Sequence, residues 1–85
     1  MIKMYTASWC GPCISAKRLL DSLGLSYEEI DIEKEGISRL DLKELTGGAT
    51  VPQIVIKNKP IGGFDSLMSL SQSGKLNKLL NQWNL

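Results

Sequence analysis

Trp9-Cys10-Gly11-Pro12-Cys13 joins a strand-like run, Ile2 to Thr6, to a segment in which Cys13, Ala16, Leu19, Leu20 and Leu23 recur at helical spacing up to Gly24. It holds the only two cysteines of the 85-residue chain. A Cys-x-x-Cys at a helix start sets the first sulfur near unpaired backbone N–H groups and the positive end of the helix dipole, which favour thiolate. The second sulfur follows one turn on. Residues three apart in a first helical turn bring their Cα atoms to roughly 4.4–6.8 Å, so such a pair closes and opens with little backbone movement. Pro12 suits the first helical position, where its missing N–H costs nothing and its φ is already set. The pattern points to redox chemistry with Cys10 as an accessible attacker. Half of a structural zinc site is a weaker reading, because four ligands are needed and the chain has no His and no third Cys. A purely structural staple is weaker still, since so short a loop removes little unfolded-state entropy.

Outward from this loop, Tyr27 to Ile32 is rich in strand formers, and Ile37, Leu40 and Leu45 mark a second helix before Thr46-Gly47-Gly48. Pro52 to Lys57 reads as a strand, Asn58-Lys59 as a tight turn, and Pro60-Ile61-Gly62 as a short strand suited to an edge. Asp65 is expected to cap a third helix through Leu67, Met68 and Leu70. After a break at Ser71 to Gly74, the stripe Leu76, Leu79, Leu80 and Trp83 is expected to pack in the core. The order βαβαββα plus a terminal helix predicts one α/β domain over residues 1–85, with a parallel, right-handed first βαβ unit.

Composition narrows the function classes. No apolar run approaches the roughly 18 residues that span a bilayer, and the start of the chain lacks the features of a signal peptide, so no membrane role and a cytoplasmic setting are expected. A net charge of +1 gives no electrostatic footprint for nucleic acid. Seven of the nine carboxylates fall between Glu28 and Glu44, which reads as a solvated acidic flank.

Four motifs together carry a family resemblance: Cys10-x-x-Cys13-x-x-Ala16-Lys17-x-Leu19-Leu20, Tyr27-x-x-Ile30-Asp31-Ile32, Thr50-Val51-Pro52-Gln53-Ile54 and Gly62-Gly63-x-Asp65. In order and spacing the chain resembles the glutaredoxins over nearly its whole length. The resemblance implies a thioredoxin-like fold of glutaredoxin type, a four-stranded mixed sheet flanked by helices. It also implies that the backbone of Val51 pairs with glutathione, that Pro52 is cis, and that Asp65 with the Phe64 backbone meets the γ-glutamyl amino group, beside Thr50 and Gly63. Two of the family's cationic anchors for the glycine carboxylate are missing, since Ala7 and Gly47-Gly48-Ala49 stand at their positions; Lys17 and Lys43 are the candidates to compensate. The active-site loop departs from the family. Trp9-Cys10-Gly11-Pro12-Cys13 is the thioredoxin-type sequence, where glutaredoxins usually carry Pro-Tyr between the cysteines. Met4 stands where thioredoxins have a buried acid.

The expected function is therefore a thiol-disulfide oxidoreductase acting on protein or mixed disulfides. Cys10 is the nucleophile, Cys13 the resolver, and Trp9, Gly11 and Pro12 form the active-site loop, with Trp9 a partly exposed docking surface. Glutathione or a thioredoxin reductase is the expected electron donor, with no metal and no permanently bound cofactor. Substrates are disulfide-containing proteins, ribonucleotide reductase being one that the family suggests, and the chain is expected to act as a monomer. Two alternatives stand beside this: a thioredoxin proper, and a glutaredoxin that binds a [2Fe-2S] cluster, against which Pro12 and the weakened glutathione anchors argue. The Gly-Pro spacer predicts a couple more reducing than usual for glutaredoxins, towards roughly −270 mV rather than about −200 to −230 mV.

Overall fold

A computed structural model describes residues 2–81. The chain runs β1 (Ile2–Thr6), α1 (Gly11–Ser22), β2 (Glu28–Asp31), α2 (Arg39–Thr46), β3 (Gln53–Ile56), β4 (Lys59–Gly62), α3 (Phe64–Ser73) and α4 (Lys75–Asn81). The four strands form one sheet in the order β2-β1-β3-β4. β1 is parallel to β2 and antiparallel to β3, and β3 is antiparallel to β4. The mixed, helix-flanked sheet and its element order are those expected. Trp83 lies outside the described residues. No helix among the described residues is long and apolar enough to cross a membrane.

Period-two alternation along β1 buries Ile2, Met4 and Thr6 on one face. Ile2 and Met4 join Ile54 and Ile56 of β3, Ala16 and Leu20 of α1, Leu67 of α3 and Leu76 of α4 in the main core. Each fully buried Leu or Ile contributes roughly 1.5–3 kcal/mol relative to exposure, and this cluster fixes α1 and α3 against the sheet. A second, smaller cluster consists of Ala7, Cys10, Cys13, Ile32 and Leu42, with Tyr5 packed against it. The cysteine loop thus rests on apolar side chains drawn from β1, from the residue after β2 and from α2.

The structure corrects four local expectations. In α2, Leu40 and Leu45 point outward at 68% and 55% exposure, whereas Leu42 and Thr46 are buried. The physical reason is the start of the helix. Ser38 is its N-cap, and a capping box pairs the Ser38 hydroxyl with the Asp41 N–H and the Asp41 carboxylate with the Ser38 N–H, each at 3.1 Å. Ile37 is left before the helix, and the inward pair becomes Leu42 and Thr46, four apart.

The hairpin turn is Lys57-Asn58, one residue earlier than Asn58-Lys59, with φ of 51° and 69° at the two positions. A two-residue turn with both φ positive matches the twist of the flanking strands, and Asn tolerates that conformation. Ile56 consequently pairs with Lys59, and Pro60 falls on the edge strand, where no donor is required of it. The flanking strands are shorter than expected: Pro52 and Lys57 lie outside β3, and Tyr27 and Ile32 flank β2.

Leu23 is the C-cap of α1 and is 44% exposed, so the inward stripe of that helix ends at Leu20.

Candidate active site

β1 ends on Thr6, and α1 begins at Gly11, so the intervening turn brings Cys10 to the helix N-terminus as its N-cap. Cys10 adopts extended backbone angles, φ −94° and ψ 109°, and its Sγ accepts the Cys13 N–H at 3.1 Å. A sulfur thereby takes the place that an oxygen usually fills at a helix cap. Pro12 lies in the first turn. Cys10 and Cys13 are joined as a disulfide, with Cα atoms 5.2 Å apart.

Accessibility differs from the expectation. Cys10 is only 3% exposed and Cys13 1%. Cys10 is covered because the second apolar cluster holds it from below and the 50–52 segment approaches from the side: the Val51 carbonyl oxygen lies 3.4 Å from Cys10 Sγ. Cys10 nevertheless lines a cleft of about 350 Å³, with Trp9, Pro12, Arg39, Thr50 and Val51 among its walls. Cys10 is therefore met at the floor of a groove rather than on an open surface. Trp9, 65% exposed, lines the same cleft.

A second cleft of about 390 Å³ shares Pro12, Thr50 and Val51 with the first and continues past Pro52 to Gly63, Phe64 and Asp65. All the residues that the resemblance connects with glutathione are thus brought to one surface beside the disulfide. The Val51-Pro52 peptide bond is cis. Gly63 is the N-cap of α3 and makes no side-chain cap bond, so Asp65 is not the cap that the sequence suggested. It sits in the first turn instead. The shift follows from the Gly62-Gly63 turn: Gly62 has φ +116° and hands the chain to the helix at Phe64, two residues before Ser66. From the first turn the carboxylate of Asp65 still complements the helix dipole, and it lines the second cleft.

The cations are distributed differently from the expectation. Lys17 pairs with Glu29 on β2 at 2.5 Å, and Glu29 also accepts the buried Thr6 hydroxyl at 2.9 Å. The hydrogen bond from Lys17, and secondarily that from Thr6, holds the Glu29 carboxyl below its ordinary value. Lys17 is thus engaged with Glu29, and neither it nor Lys43 lines either of these two clefts. Arg39, which the motif reading passed over, does. The available signal was its place as the first residue after the Ser38 cap, because a helix starting there turns its N-terminal end towards Ile32 and the cysteine loop.

The glutaredoxin family model matches residues 2–61. A glutaredoxin of Pseudomonas aeruginosa is 40% identical over 80 residues, covering 94% of this chain and 95% of that protein. Glutaredoxin 1 of Rickettsia typhi is 45% identical over 85 residues, covering 93% of this chain and 78% of that protein. Among solved structures, the complex of buckwheat glutaredoxin with glutathione superposes with a TM-score of 0.85 at 34% identity, over 95% of this chain and 76% of that one. These matches do not favour a thioredoxin proper or a cluster-binding protein. The chain belongs to the glutaredoxin family, whose members are thiol-disulfide oxidoreductases that act with glutathione.

Proposed function

We propose that this glutaredoxin reduces mixed and protein disulfides through a Cys10/Cys13 cycle recharged by glutathione. The Cys10 thiolate attacks one sulfur of the substrate disulfide, forming a Cys10–substrate bond and expelling the other sulfur as a thiolate, which takes up a proton. The Cys13 thiol then loses its proton to water or to the departing sulfur and attacks Cys10 Sγ, releasing the reduced substrate. The oxidised pair is returned to two thiols by two glutathione molecules, which leave as glutathione disulfide. The observation that carries this reading is the place of Cys10: its sulfur accepts the Cys13 N–H at 3.1 Å, and it lines one cleft that shares Pro12, Thr50 and Val51 with a second.

Glutathione fits the pair of clefts by its chemistry. Its central cysteine would reach Cys10 along the backbone of Val51, and its charged α-amino group would meet Asp65 at the N-terminal turn of α3. Its glycine carboxylate would meet Arg39 in the other cleft, in place of the cations missing at Ala7 and in Gly47-Gly48-Ala49. Disulfide-containing proteins are the proposed substrates, with the exposed Trp9 as a contact for them.

Two variants test the cycle. Cys10→Ser is expected to abolish turnover of every disulfide. Cys13→Ser is expected to keep reducing glutathione mixed disulfides, which need one sulfur, and to lose reduction of protein disulfides, which need two. Turnover by Cys10→Ser at the parent rate would reject the assignment. Parallel assays with glutathione and its reductase, and with thioredoxin reductase and NADPH, identify the donor, and the proposal predicts the faster rate in the first.

A further inference from the structure

The segment carrying Thr50 and Val51 is gripped at both ends by buried polar side chains that touch neither cleft. At its start, the Thr46 hydroxyl lies 2.8 Å from the Leu42 carbonyl and 3.0 Å from the Gly48 carbonyl, and it accepts the Gly48 N–H at 3.3 Å. With one proton it serves one carbonyl at a time while accepting from Gly48, so it ties the end of α2 to the loop in either state. At the far end, Gln53 is 5% exposed, and its Nε2 reaches Thr50 Oγ1 at 3.5 Å. The Gln53 amide also lies directly under Gly48, where an added Cβ would come within 2.5 Å of Nε2. Buried as it is, the amide has little room to withdraw.

From this arrangement we infer that Gln53, packed beneath Gly48, is a positioning residue that sets the height of the Thr50-Val51 wall above Cys10. Val51 packs against the apolar cluster around Cys10 and Pro52 is buried, but Gly47, Gly48 and Ala49 before them carry no large side chain. The placement of that first half of the loop, on which the height of Thr50 and Val51 depends, falls to Thr46 and Gln53. The wall matters because Val51 brings its carbonyl to 3.4 Å from Cys10 Sγ and, with Thr50, lines both clefts. Small displacements of such a wall change how a tripeptide lies against the sulfur while leaving the sulfur itself in place. The inference rests on the reading that glutathione occupies these clefts, and it adds the residue that determines its seating.

The test compares the wild type with Gln53→Met, which keeps side-chain length and removes the amide, and with Gly48→Ala, which keeps the amide and pushes the loop away from it. Each is assayed on a peptide carrying a glutathione mixed disulfide and on 5,5′-dithiobis(2-nitrobenzoate), an aromatic disulfide with no tripeptide to seat. Both variants are expected to raise KM for the glutathionylated peptide about three- to tenfold with kcat within about twofold, and to react with the aromatic disulfide at nearly the wild-type rate. An unchanged KM overturns the inference, and so does an equal loss on both disulfides, which marks general damage. Should Gln53→Met fail to fold, Gly48→Ala decides by the same criteria. A wild type that does not prefer the glutathionylated peptide rejects the underlying reading and this inference with it.

Discussion

The backbone N–H of Cys13 points at Cys10 Sγ from 3.1 Å, so the helix that carries the second cysteine also donates to the first. In the reduced protein that donor, with the positive end of α1, favours negative charge on the first sulfur only. Cys10 is therefore expected to be alkylated by iodoacetamide at neutral pH at least about tenfold faster than Cys13, which has no such donor at its sulfur among the described residues. Peptide mapping after partial alkylation reads the ratio. Equal labelling of the two would contradict the arrangement.

Arg39 is an exposed cation on the wall of the cleft that contains Cys10. Arg39→Ala is expected to weaken glutathione recognition by about two- to fivefold, the scale of a solvent-exposed ion pair, and the difference should shrink as salt is raised. Measuring KM for glutathione in low and high salt checks both parts. A salt-independent effect would show that charge is not the cause.

Glu29 gives the fold a sensitivity to acid. Its carboxyl is held below the ordinary value of 4.5, first by the hydrogen bond from Lys17 and then by that from Thr6. A carboxyl with a lowered folded-state value adds stability that is present at pH above its unfolded value and is lost as pH falls through the folded value. Glu29→Gln should therefore be slightly less stable than the parent at pH 7 and converge with it in acid, as pH falls through the lowered folded-state value. Thermal melts across that range read the convergence, and a gap that persists at low pH would mean that shape, not charge, sets the difference.

Leu42 and Leu40 separate packing from pattern. Leu42→Ala removes a fully buried side chain from the cluster under the cysteine loop and should cost about 2–5 kcal/mol, whereas Leu40→Ala, at 68% exposure, should change stability by less than about 0.5 kcal/mol. Denaturant titrations of the two variants give the comparison directly. Similar losses would reverse the assignment of the inward face of α2.

Gly62 is required by its backbone and by its neighbour. With φ at +116° and a Cβ that would meet Ser66 Oγ at 2.8 Å, Gly62→Ala is expected to destabilise by about 1–3 kcal/mol. It should also impair glutathione use, because Gly63 and Asp65 follow directly in the second cleft. A variant with parent stability would show that the turn relaxes at no cost.

Much of this was legible in the residues themselves. The helix after Cys10 could be read because Cys13, Ala16 and Leu20 keep a strict spacing and Gly24 stops it, and the second cleft because Thr50-Val51-Pro52 and Gly63-Phe64-Asp65 stand in recognisable motifs. The face of α2 was misread because an eight-residue helix is too short for a stripe to outweigh its cap: the Ser38–Asp41 box, not the leucine count, sets its phase. Arg39 was missed because its value comes from where α2 begins relative to Ile32, a tertiary fact. The depth of Cys10 was likewise hidden, since its cover is supplied by Val51, 41 residues away along the chain.

The most direct test of the central claim is to expose reduced Cys13→Ser protein to glutathione disulfide and locate the adduct by mass spectrometry. One glutathione bound at Cys10, and released by added glutathione, is the predicted result. No adduct under conditions in which the reduced Cys10→Ser protein acquires one at Cys13 would reverse the roles of the two sulfurs and contradict the account.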